Sequence, residues 1–132
     1  MSQKYKGLVA FFFKIVYGKI HYYQKKNKYI KVNKIKEGKR TYKIFEIQNC
    51  RIYTDTIHDT AFIQNNKLIN EVSFQLRNLI NSNIKNNKVL KNGTPKFMKN
   101  FDSPVLCILT GGAGNNNYWH WMYDVLPRIG IV

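Results

Sequence analysis

The chain has 132 residues, enough for one modest domain with a real core, and its 44% hydrophobic and 14% aromatic content excludes a disordered chain. Twenty-two Lys and Arg against 7 Asp and Glu give a net charge of +15, which favours anionic partners: nucleic acid, an anionic membrane surface or phosphorylated substrates. The lysines are scattered rather than clustered, and the abundance of Lys, Asn and Ile fits compositional drift equally well.

In chain order, the first apolar stretch is GLVAFFFKIVYGKI (7–20), interrupted by Lys14 and Lys19. Its unbroken run is far shorter than the ~20 residues of a spanning helix. Lys4 and Lys6 precede it as a signal peptide's basic region would, but no small-x-small cleavage pattern follows. The stretch predicts a helix over 4–25. One expectation is an interfacial helix with Tyr17, Tyr22 and Tyr23 as ring anchors at a lipid surface; the alternative is a helix of the domain core. Residues 25–40 read as a basic connector with room for a short strand, and 41–55, rich in β-branched and aromatic residues, as one or two strands. Residues 58–74 pattern as a hairpin turning at 64–67. Phe74, Leu76, Leu79, Ile80 and Ile84 fall near helical spacing and predict a short helix over 73–84. Residues 86–104 read as a long polar loop broken by Gly93, Pro95 and Pro104.

The last quarter is the most legible. PVLCILT (104–110) predicts a strand buried on both faces. Gly111, Gly112, Ala113 and Gly114 form a glycine turn, and Asn117 is the best-placed helix cap. From Tyr118 the pattern is helical, and Pro127 is expected to end or kink the helix. Strand, glycine turn and helix together open an α/β layer unit.

On that helix His120 and Asp124 are four apart and share a face, with Arg128 next on the same stripe if the helix survives Pro127. Met122, Val125, Leu126 and Ile129 point elsewhere, toward the sheet. A carboxylate beside an imidazole orients it and raises its basicity, and an arginine binds phosphate bidentately. In open α/β sheets, ligands sit beyond the C-terminal ends of strands. GGAGNNN lacks both the dinucleotide fingerprint and the P-loop lysine, so its glycines indicate at most backbone N–H groups offered to an anion. Asp55, His58 and Asp59 meet no metal-ligand motif and read as turn formers. Cys50 and Cys107 are far apart without CxxC partners, which predicts reduced, buried thiols and no metal site.

NYWHWMYDVLPRI (117–129) closely resembles the Asn-Tyr-aromatic-His-Trp-x-x-Asp-x-Leu-Pro-Arg signature of glycosyltransferase family 61. That group includes capsular polysaccharide biosynthesis proteins and plant β-1,2-xylosyltransferases. RIYTDTIHDTAFIQNNKLINEVSFQ (51–75) resembles the family's strand-rich lead-in more loosely. The resemblance implies inverting transfer of a sugar from a nucleotide-sugar donor to a glycan acceptor. It implies an α/β fold of the GT-B kind, with two Rossmann-like domains and no obligatory metal or other cofactor. The missing Asp-x-Asp agrees with that. It makes His120 or Asp124 the general base, with Asp124 holding His120 the preferred arrangement. It gives Trp119 or Trp121 to a sugar face and Arg128 to phosphate or to stabilising the loop, with Gly112, Gly114 and Asn117 also expected to bind substrate.

On this reading 1–38 is a basic helix and connector, and 39–132 an incomplete N-terminal domain without the donor-binding half. The chain alone is then expected to be inactive. The implied location is cytoplasmic, peripheral at the inner membrane face of a bacterium, with an anionic membrane surface as partner. A basic nucleic-acid-binding or membrane-associated module without chemistry is the alternative; no nucleic-acid-binding motif is recognised, so no nucleic acid is expected.

Overall fold

A computed structural model describes residues 3–23, 30–55, 58–76, 83–108 and 118–131. Among these residues the fold is mixed α/β, with two sheets and several helices.

Helix α1 (Gln3–Tyr17) opens the chain and is shorter than expected. Gly18 ends it at φ +80°, a left-handed position that glycine takes without strain. The chain then leaves as strand β1 (His21–Tyr22). A Cβ on Gly18 would run into the side-chain amide of Asn66. Gly18→Ala therefore combines a strained φ with a clash, and should destabilise the fold by about 2 kcal/mol in urea unfolding. Unchanged stability would mean that this junction is not rigid.

Arg51 reinforces the junction. Its Nη1 donates to the carbonyl of Tyr17 at 3.4 Å and its Nη2 to Asn66 Oδ1 at 3.1 Å, and the guanidinium lies 5.6 Å from the centre of the Tyr17 ring. A cation on the last carbonyls of a helix opposes the negative end of its dipole.

The basic connector contains a full strand, β2 (Ile30–Glu37), which pairs antiparallel with β3 (Arg40–Ile47). Gly38 and Lys39, either side of the expected domain boundary, are the two turn residues, and Gly38 has φ +57° as the first position of a type II′ turn requires. Lys31 lies opposite Glu46 and pairs with it at 3.2 Å.

The second sheet has the order β1-β6-β5-β4, with β7 also on β5. Its members are β4 (Arg51–Thr54), β5 (Asp59–Gln64), β6 (Lys67–Leu68) and β7 (Phe74–Gln75). Only β1 and β6 run parallel; the other pairs are antiparallel. The β5–β6 hairpin is as expected and its turn is Asn65-Asn66, at φ 50° and 57°. Asparagine tolerates this region better than most residues, and two positive φ values match the strand twist. β5 is the centre of the sheet. Ala61 and Ile63 on it meet Ile20, Leu68 and Val89 in the core, with Tyr22, Tyr53, Ile84 and Leu90 packed around them.

Three expectations are corrected here. Residues 73–84 do not form one helix: Phe74–Gln75 joins β5 as an edge strand and Ile84–Asn86 is a single 3₁₀ turn, while 77–82 lie outside the described residues. Unsatisfied backbone groups on the edge of β5 outweigh a loose helical periodicity.

The polar loop at 86–104 holds helix α2 (Lys88–Asn92). Asn87 caps it, accepting from Val89 N at 3.2 Å, while its Nδ2 donates to the carbonyls of Thr60 (3.3 Å) and Phe74 (3.1 Å). One buried amide thus joins β5, β7 and α2.

The strand expected at 104–110 is absent over 104–108, where the backbone is irregular and Val105 and Leu106 are exposed; 109–110 lie outside the described residues. A two-faced buried strand needs a neighbour on each edge, and no described strand pairs with this segment.

Candidate functional site

The glycine turn and its cap, Gly112, Gly114 and Asn117 included, lie outside the described residues. From Tyr118 the described residues form helix α3 (Tyr118–His120), a π turn (Trp121–Val125) and α4 (Leu126–Ile129). Pro127 does not stop the helix. A proline clashes with the carbonyl four residues back and has no N–H for it. Here the turn before it is widened, so that Leu126 N–H bonds the carbonyl of Trp121, five residues back. Pro127 then sits in the first turn of α4, where its missing donor costs least. The helix runs on to Gly130.

The imidazole and carboxylate expected to share a face do meet: His120 Nδ1 and Asp124 Oδ2 are 2.5 Å apart, with both side chains partly exposed. A carboxylate can only accept, so Nδ1 carries the proton, and in the neutral ring Nε2 is the basic nitrogen. The pair is a base held in one tautomer by an acid.

Arg128 follows on α4, but an added residue in the π turn shifts its phase around the axis relative to a regular α stripe. Trp119 stacks on Tyr123, ring centres 5.3 Å apart and planes 13° apart, and both rings are exposed. Trp121 is also exposed. Of the residues expected to pack on the sheet, only Val125 is buried; Met122, Leu126 and Ile129 are exposed. The helix thus presents a hydrogen-bonded acid–base pair beside an open double ring.

The Asp55, His58 and Asp59 group divides. Asp55 is the turn former expected: its Oδ1 accepts from the backbone N–H groups of His58 and Asp59, both at 2.7 Å. Asp59 is instead a fully buried carboxylate at the start of β5. Its Oδ1 accepts from the N–H of Lys88, the first residue of α2, at 3.2 Å. Lys88 Nζ lies 3.3 Å from Asp55 and 3.9 Å from Asp59. A negative charge at a helix N-terminus, partnered by a lysine, is an anchor for α2. The sequence signal for it was an acid followed at a distance by Asn-Asn-Lys, which is too common to single out. Among the described residues no group of three or more His, Cys, Asp or Glu is placed to hold a metal ion.

Arg51, not singled out from the sequence, lines a shallow depression of ≈ 210 Å³ with Asn49, Ile63, Asn65, Asn66 and Met98. Its hydrogen bonds assign it to the α1 junction.

Cys50 and Cys107 are both free thiols and half-buried. Burial pushes the Cys50 thiol up to about 11, with Cys107 adding to the effect. At pH 8 alkylation of Cys50 should therefore be roughly two orders of magnitude slower in the folded chain than in urea. Equal rates would refute the burial. An unfolded thiol ionises near ~8.5, so as pH rises from there toward about 11 the unfolded state loses its proton first and stability falls.

Compared with family models, with curated proteins and with solved structures, the chain has no match.

Proposed function

We propose that this chain belongs to an inverting, nucleotide-sugar-dependent glycosyltransferase of surface or capsular polysaccharide biosynthesis, with a GT-B architecture of two Rossmann-like domains. The observation that carries the reading is the His120–Asp124 pair, at 2.5 Å, inside a stretch that resembles a glycosyltransferase signature. In this reaction the acceptor hydroxyl attacks the anomeric carbon. The new C–O bond forms as the bond to the diphosphate breaks, and one base must take the hydroxyl proton. His120 Nε2 takes it, and Asp124 holds the ring and stabilises the imidazolium that results. Arg128 meets the departing diphosphate, and Trp119 or Trp121 stacks on a sugar face. In this proposal Gly112, Gly114 and Asn117 also bind substrate.

The complete enzyme of this proposal also has a donor-binding domain and acts peripherally at the inner membrane face. The test is release of nucleoside diphosphate by that two-domain protein, across a panel of nucleotide sugars and glycan acceptors, without added metal. Release that depends on both acceptor and His120 is the expected result; no release with any donor sinks the proposal.

A further inference from the structure

Helix α1 buries one side only. Ala10 and Phe13 are buried, with Lys14 and Tyr17 half-buried beside them, an inward stripe at positions 10, 13, 14 and 17. The remaining face carries Tyr5, Leu8, Phe11, Phe12, Ile15 and Val16, between 47% and 72% exposed. At 3.6 residues per turn these six fall within one arc of roughly 140°. Phe97, 76% exposed, extends the surface by meeting Phe12 and Phe13 edge-on, with ring centres 6.5 and 5.2 Å apart. Folded monomers rarely leave so continuous an apolar face to water.

The charge around it narrows the occupant. The first 36 residues hold ten lysines and no acid. Lys4, Lys6 and Lys19 on or beside α1 are exposed, as are Lys96 and Lys99 on either side of Phe97 and Met98. A second copy would bring another +15 to the contact. An anionic bilayer supplies both an apolar layer and compensating charge. A helix of 15 residues is about 22 Å long, too short to cross the hydrocarbon but suited to lie in its surface.

We infer that the outward face of α1, with Phe97, is a membrane-docking surface that lies in the plane of an anionic bilayer, its rings and aliphatic side chains among the acyl chains and its lysines at the headgroup phosphates. This gives residues to the membrane location proposed above and rests on that part of the reading alone, because vesicle binding is measured without donor or acceptor.

The experiment is flotation of the full chain with vesicles of phosphatidylcholine, and of phosphatidylcholine with about a third phosphatidylglycerol. Binding to the anionic vesicles should be about tenfold or more tighter and should weaken with salt. The double variant Leu8→Asp, Ile15→Asp should lose it with an unchanged circular dichroism spectrum. Leu8→Trp, which keeps the face apolar, should bind and gain fluorescence quenching by brominated lipid beyond the wild-type signal. A folded double variant that binds like wild type overturns the inference, and so does a Leu8→Trp chain that binds without added quenching. A chain that sediments as a dimer, becomes monomeric in the double variant and ignores vesicles shows that the face meets a second copy instead.

Discussion

If the chain belongs to the two-domain enzyme proposed above, replacing His120 by alanine there should lower kcat/KM by roughly 10²–10⁴-fold, the usual contribution of one positioned base. Asp124→Asn should lower it by a comparable factor through a different route. The amide can donate to Nδ1, which moves the ring proton to Nε2 and masks the basic nitrogen. Neither change should cost much stability. Both side chains are more than a third exposed, and an exposed i,i+4 pair contributes at most about 1 kcal/mol. Activity should therefore fall while the unfolding midpoint stays put. Near-normal turnover in both variants removes the pair from the reaction; a matching fall in stability makes it structural.

Ile63→Ala should be the most damaging single change to the sheet. Ile63 is 2% exposed near the C-terminal end of β5, in the core cluster with Ile20, Ala61, Leu68 and Val89. Truncating a buried isoleucine costs about 2–5 kcal/mol, a large share of the ~5–15 kcal/mol by which small domains are stable. Ile52, on the neighbouring β4, is 40% exposed, and Ile52→Ala should cost less than about 1 kcal/mol. Urea unfolding of both variants gives the comparison. Equal losses would place the core elsewhere.

The elements that local chemistry decides were legible in the sequence. The β5–β6 hairpin follows from two asparagines between apolar runs, and α1 from its apolar spacing, although the stop at Gly18 was missed in favour of a helix running to residue 25. Elements decided by distant partners were not. β7 exists because β5 offers an edge, and α2 because Asp59 and Asn87 hold its first turn. The apolar run at 104–108 carries no period, so length and hydrophobicity alone suggested a strand. At the candidate site the His120–Asp124 contact was readable from a spacing of four. The π turn was not, because the local rule for Pro127 says only that a helix stops there, and a widened turn is a second way to accommodate it.

The β2–β3 hairpin gives the lysine surplus a local use. It is a ribbon of two eight-residue strands, and neither outer edge has a strand partner among the described residues. Val32 and Ile35 are exposed on it, so an uncharged version would be a template for strands of other molecules. Lys31, Lys34, Lys36 and Lys43 line it instead. Each approaching copy meets like charge before it can pair. Repulsion between like charges thus opposes edge-to-edge pairing of the ribbon, and its solubility should depend on ionic strength.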